Sequence, residues 1–147
     1  MAAERTPEEL VQAYHQAMLH LSAEELAGLF AEDARYEFPF LTPGRPSAYE
    51  SRQEIYAGFK QAWSNAPVRL DSIENIAIYH TSDPSVVIVE QNMRATVKDS
   101  NQTFVRPALL IFFTKDGFIT RLRDYADMLR GVKEMGRIDA LIKAINQ

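Results

Sequence analysis

The chain contains no cysteine, which rules out a disulfide framework, a thiolate nucleophile and any cysteine metal site. Histidine is scarce as well. His15, His20 and His80 have no i, i+4 spacing on one helix face and no carboxylate beside them in a recognisable metal motif, so no metal site is expected. No apolar run approaches the ~20 residues needed to span a bilayer. The opening MAAERTPEEL has neither a basic n-region nor an apolar h-region. These absences predict a cytoplasmic protein without a membrane partner. Basic residues are in deficit too: the net charge is −4, which argues against nucleic-acid binding, since phosphate affinity needs a basic face. No G-x-G-x-x-G, phosphate loop or serine nucleophile elbow occurs, so nucleotide and acyl-enzyme mechanisms lack support.

What is present is an ordinary soluble composition, 46% hydrophobic and 24% charged over 147 residues. A chain of that size buries roughly 68–70% of its unfolded surface as one domain, residues 1–147. Thr6-Pro7-Glu8-Glu9 predicts a capped helix start, with Leu10, Tyr14, Ala17 and Leu21 along one face. Ser22-Ala23-Glu24-Glu25 predicts a short second helix running through Leu26, Leu29 and Phe30. A strand is expected over Asp33 to Phe40, a Pro/Gly loop over Leu41 to Glu50, and a third helix from Ser51 to Ser64 carrying Ile55, Phe59 and Trp63. Four β-rich segments follow: Val68 to His80, Val86 to Val97, Thr103 to Thr114 and Phe118 to Asp127. Asp116-Gly117 between the last two is a hairpin signal. Asp127 reads as the N-cap of closing helical turns over Met128 to Asn146. Helices on one side of a curved sheet make an α+β domain.

The most informative strand is the last. Period-2 alternation puts Phe118, Leu122, Asp124 and Ala126 on one face, and Ile119, Arg121, Arg123 and Tyr125 on the other. A carboxylate sharing a face with apolar side chains is poorly solvated when ionised, so its pKa rises. That is the preparation of a general acid or base for neutral pH.

Three stretches carry a family resemblance: LFAEDARYEFPF with the capped helix after it, the strand VVIVEQNMRA, and KDGFITRLRDYADML. On these the chain resembles the NTF2-like superfamily (the cystatin-like α+β cone). Within it the match is to the SnoaL-like group, with similarity to the phenazine-biosynthesis A/B subfamily. The resemblance implies a cone with an apolar central cavity, no cofactor, and a homodimer formed through the outer sheet face. Asp124 matches the last-strand acid that epoxide hydrolases, SnoaL-like cyclases and the phenazine enzymes place in that cavity. Other family positions differ. Phe38 stands where steroid isomerases keep their base, and Ala108 to Ile111 offer no second acid. Glu90, Asn92 and Arg94 replace the Arg and Asp pair of epoxide hydrolases, and Gly58 and Phe59 stand where the phenazine enzymes have a histidine.

The expected function is acid–base chemistry of the isomerase, cyclase, dehydratase or hydratase kind on a small hydrophobic, ring-containing metabolite. Asp124 is the proton-moving candidate, with Glu90 and Tyr14 as catalytic assistants. Asn92, Tyr36, Phe38, Phe59, Trp63, Phe112 and Leu122 are candidates for the substrate wall. A ligand-binding module without turnover and a dimerisation scaffold are the alternatives on the same fold.

Overall fold

The structure, a computed structural model, describes residues 3–40 and 43–147. Leu41 and Thr42, the start of the expected Pro/Gly loop, lie outside the described residues. Helix α1 spans Pro7–Leu19. Its start is a reciprocal box: the Glu9 amide donates to Thr6 Oγ1 at 3.2 Å, and the Thr6 amide donates to the Glu9 carboxylate at 2.8 Å. The helix buries Leu10, Val11, Tyr14, His15, Ala17 and Met18. Leu21 lies beyond the helix end, with φ at 48°. Helix α2 covers Ala23–Ala27, so Leu29 and Phe30 are not helical as expected. Gly28 ends the helix, and Phe30 opens strand β1, Phe30–Glu37.

β1 therefore begins three residues before the sequence reading and stops before Pro39, whose ring removes a donor and restricts Phe38. The expected loop contains a two-residue strand β2, Ala48–Tyr49, antiparallel to β1. Helix α3, Arg52–Ser64, is capped by Ser51 Oγ, which accepts the Glu54 amide at 3.0 Å. Strands β3 (Val68–His80), β4 (Val86–Val97), β5 (Thr103–Lys115) and β6 (Phe118–Ala126) are antiparallel neighbours. β6 then pairs in parallel with β1, giving the order β2-β1-β6-β5-β4-β3. The result is the curved α+β cone expected from the resemblance. Its core holds Leu10, Tyr14, Phe30, Tyr36, Ile55, Phe112 and Leu122.

Two local features fix which side chains face that core. Asp116 and Gly117 both have positive φ, 53° and 80°, the turn that matches strand twist. A register shift between Phe113 and Thr114 then breaks the alternation at the start of β6. Ile119 is consequently buried and Phe118 exposed, the reverse of their expected faces. From Arg121 onward the expected parity holds: Leu122 and Ala126 are buried, and Asp124 stands between them.

After β6, Asp127 caps helix α4, Met128–Glu134, accepting the Arg130 amide at 3.0 Å. Helix α5, Ile138–Ile145, follows and buries no residue. Among the described residues no helix is long and apolar enough to cross a membrane.

Candidate functional site

Tyr36 of β1 is in register with Leu122 of β6, which puts its side chain on the inner face beside Asp124. Its hydroxyl donates to Asp124 Oδ2 at 2.9 Å. The Tyr14 hydroxyl from α1 lies 3.0 Å from the Tyr36 hydroxyl. Three elements distant in sequence thus converge on one polar chain inside an apolar core. Both tyrosines are buried. Burial, followed by the Asp124 charge, pushes their pKa values well above the ordinary tyrosine range, so both are neutral donors at any physiological pH.

Asp124 has one committed oxygen and one free. Oδ1 is shut off from solvent and has no hydrogen-bond partner, alone in this among the described buried side-chain atoms. Burial raises the carboxyl pKa; Arg106, the Tyr36 hydroxyl and the Ala126 backbone pull it down without cancelling the rise. A polar atom left unpaired away from water is costly, on the order of 1–3 kcal/mol. An unpaired buried oxygen of this kind calls for an explanation, and the residue that carries it also lines a cavity.

The cavity holds about 350 Å³. Asp124 lines it together with Phe38 and Tyr49 from the β1–β2 region, Phe59 and Trp63 from α3, and Arg106 from β5. The rings of the wall touch one another, Phe59 and Trp63 with centroids 4.9 Å apart and Phe38 and Phe59 at 6.4 Å. Tyr36, expected in the wall, is fully buried behind it, stacked on Phe38 at 4.9 Å. A second hollow of about 440 Å³ shares Phe38, Arg45 and Tyr49 with it. Phe112 and Leu122 are buried core, with the Phe112 ring edge against Tyr14 at 5.3 Å.

The structure does not bring Glu90 or Asn92 to this site. β4 turns Val87, Val89, Gln91, Met93 and Ala95 inward, so Glu90 is exposed and Asn92 half-buried on the opposite face. Both line an open groove of about 1050 Å³ on the outer side, with Leu109, Tyr125 and Leu141. The lining of that larger hollow carries no buried titratable group. The inward place falls to Gln91, whose Oε1 is 2.6 Å from His15 Nε2. His15 is therefore buried rather than a surface helix residue, and burial lowers its pKa. An amide there meets its neutral partner without the desolvation a carboxylate would suffer.

Arg121 and Arg123 point outward as expected, and both clamp Glu37, at 2.6 and 3.1 Å. Burial alone raises the Glu37 pKa, but its bonds to Arg121 and Arg123 outweigh this and lower it. Sequence reasoning missed this ion cluster, the direct bond from Tyr36 to Asp124, and Arg106. Strand parity carried a signal for the last: Arg106 is two residues before Ala108 and four before Leu110, on the inner face of β5.

Comparison with known proteins agrees with this architecture. A model of the SnoaL-like domain matches residues 11–122. An uncharacterized PhzA/B-like protein of Pseudomonas aeruginosa is 26% identical over 117 residues, which is 80% of this chain and 81% of that one. The crystal structure of a putative isomerase from Bacillus subtilis superposes with a TM-score of 0.80 at 26% identity, covering 88% of this chain and 91% of that one. A putative polyketide cyclase from Xanthomonas campestris shares the fold at TM-score 0.69 and 21% identity, over 87% of this chain and 95% of that one. With the model match spanning most of the cone, the chain belongs to the SnoaL-like domain family, on an NTF2-like fold.

Proposed function

We propose that the protein is a proton-transfer enzyme of the isomerase, cyclase or dehydratase kind, acting on a small, largely hydrophobic, ring-containing metabolite. The observation that carries this reading is that Asp124, whose Oδ1 has no hydrogen-bond partner, lines an aromatic cavity. The ionised carboxylate takes a proton from a substrate carbon next to a carbonyl. The electron pair left behind moves onto the carbonyl oxygen, and the resulting acid returns the proton to a second carbon, so the reaction is balanced without a net proton. Tyr36 holds Oδ2 and leaves Oδ1 to react. Burial moves the carboxyl pKa up from the ordinary carboxylate range, toward the pH at which a general base works. The names given to similar structures, a putative isomerase and a putative polyketide cyclase, belong to the same reaction classes.

The direct test follows α-proton exchange in D₂O by NMR across a panel of ring-containing ketones. Wild type accelerates exchange for at least one of them, and Asp124→Asn loses about 10²–10⁴-fold of that rate. Equal rates in the two proteins overturn the reading and leave a ligand-binding module.

The molecule also acts as a homodimer through the outer sheet face. Support comes from a large apolar side chain left exposed there, Tyr79 of β3 at 48%, opposite outward-facing Ile88 of β4. Ile111 and Leu109 of β5 are half-buried on the same face.

A further inference from the structure

The arginines of this chain fall into distinct groups. Arg35, Arg69, Arg94, Arg121, Arg123 and Arg130 each pair with a carboxylate. Five make no ion pair among the described residues: Arg5, Arg52, which donates to the Phe30 carbonyl at 2.8 Å, and Arg45, Arg106 and Arg137, which all line the cavity beside Asp124. No other charged residue lines it besides Asp124 itself. A protein of net charge −4 thus has a hollow in which the local sign is reversed.

Arg106 is the informative member, because Arg45 and Arg137 are exposed while Arg106 is half-buried. It stands opposite Met93 in the β5–β4 register, on the inner face. Gly131 of α4 packs over it: a Cβ there would fall 3.9 Å from Arg106 Cδ. Its recorded hydrogen bond goes from Nη2 to Met93 Sδ at 3.6 Å, and a thioether is a weak acceptor. A guanidinium partly withdrawn from water and given only a sulfur is short of an anion. Along β5 it lies four residues from Leu110, the partner of Asp124, or roughly 13 Å of strand before the side chain reaches back. The two charges are too far apart for an ion pair, yet the attraction is strong enough to pull the Asp124 pKa down. A gap remains between them, walled by rings.

We propose that the ligand is a ring-containing carboxylic acid bound as its anion, with its carboxylate on the Arg106 fork and its ring among Phe38, Phe59 and Trp63. The reacting carbon then faces Asp124 Oδ1. A planar fork of donors matches a carboxylate bidentately, and the exposed Arg45 and Arg137 draw the anion toward the mouth. This narrows the substrate class of the acid–base reading above and rests on it. It also adds a coupling: a ligand carboxylate neutralises Arg106 and so removes a charge that favours ionised Asp124, making the carboxylate a stronger base once the site is filled.

The test uses cyclohexanecarboxylate and its neutral isostere cyclohexanecarboxamide, with the fluorescence of Trp63, the only tryptophan, as the readout. Wild type binds the carboxylate about tenfold or more tightly than the amide, as expected for a charge-assisted pair. Arg106→Gln abolishes the preference while still binding the amide. Arg106→Lys, which keeps the charge, retains part of it, and Asp124→Asn retains all of it. Equal affinities in wild type, no binding of the carboxylate, or a preference that survives Arg106→Gln overturns the assignment. The two readings fail separately. A carboxylate preference without Asp124-dependent exchange upholds the anion site alone; exchange without the preference removes that site and keeps the acid–base chemistry.

Discussion

Asp124 opposes the fold that holds it. Burial makes its proton harder to lose in the folded chain than in the unfolded one, so the folded state binds more protons between the ordinary carboxylate pKa and the raised value. Stability therefore falls as pH rises through that window and is unaffected by this group below it. Asp124→Asn should be more stable than wild type at pH 8, by on the order of 1 kcal/mol, and so melt at a higher temperature. The difference should vanish near pH 4, and paired thermal melts at the two values check both. Tyr36→Phe works in the opposite sense on the site, since it removes a hydroxyl that favours ionised Asp124. Its pH–rate profile for base catalysis should shift to higher pH. Stability should drop by about 1–3 kcal/mol, because the Tyr14 hydroxyl and Asp124 Oδ2 both lose their partner.

At the scale of elements, α3 and β2 meet so closely that only a glycine fits. A Cβ on Gly58 would lie 2.3 Å from Tyr49 Cζ and 2.5 Å from its hydroxyl. Gly58→Ala gains about 1 kcal/mol of helix preference and loses the packing of the displaced Tyr49 ring, so the two offset and the main effect falls on the site. Tyr49, which lines the cavity, should be turned aside, with a changed Trp63 emission as the check. Caps, turn and helix spacing were legible because each is written in adjacent residues: Thr6 with Glu9, Ser51 with Glu54, Asp116 with Gly117. The face of a strand was legible only where its polarity alternates. β6 has Leu122 and Ala126 flanking Asp124, so its parity was clear beyond the bulge. β4 has polar residues at 90, 91 and 92 and apolar ones on both parities before them. Nothing local there told Glu90 from Gln91, and the buried His15 opposite Gln91 settled the choice. The bulge at Phe113 and Thr114 has no local signature either, which is why Ile119 and Phe118 exchanged faces.

For the whole molecule, the charge is arranged by location rather than by amount. Six arginines outside the hollow are matched by carboxylates, as in the Glu37 cluster, while Arg45, Arg106 and Arg137 around it are not. The outer face also bears on assembly. Sedimentation should give a dimer, and Ile111→Arg, on β5 between Ile88 and Arg123, should give a folded monomer. A dimer unchanged by that substitution would place the contact elsewhere on the surface.

The parallel pairing of β1 with β6 has a consequence for how the chain acquires its chemistry. These strands are joined by everything in between, so Tyr36 and Asp124 meet across 88 residues. Contacts of such long range form late, after the loop they close has been ordered. The antiparallel ribbon from β3 to β6 is built of neighbours and can fold first; β1 then docks onto its last strand, while α1 packs against β3, β4 and β5. During synthesis β1 must wait for β6, the last strand made, and Asp124 has no hydroxyl beside it until the two meet.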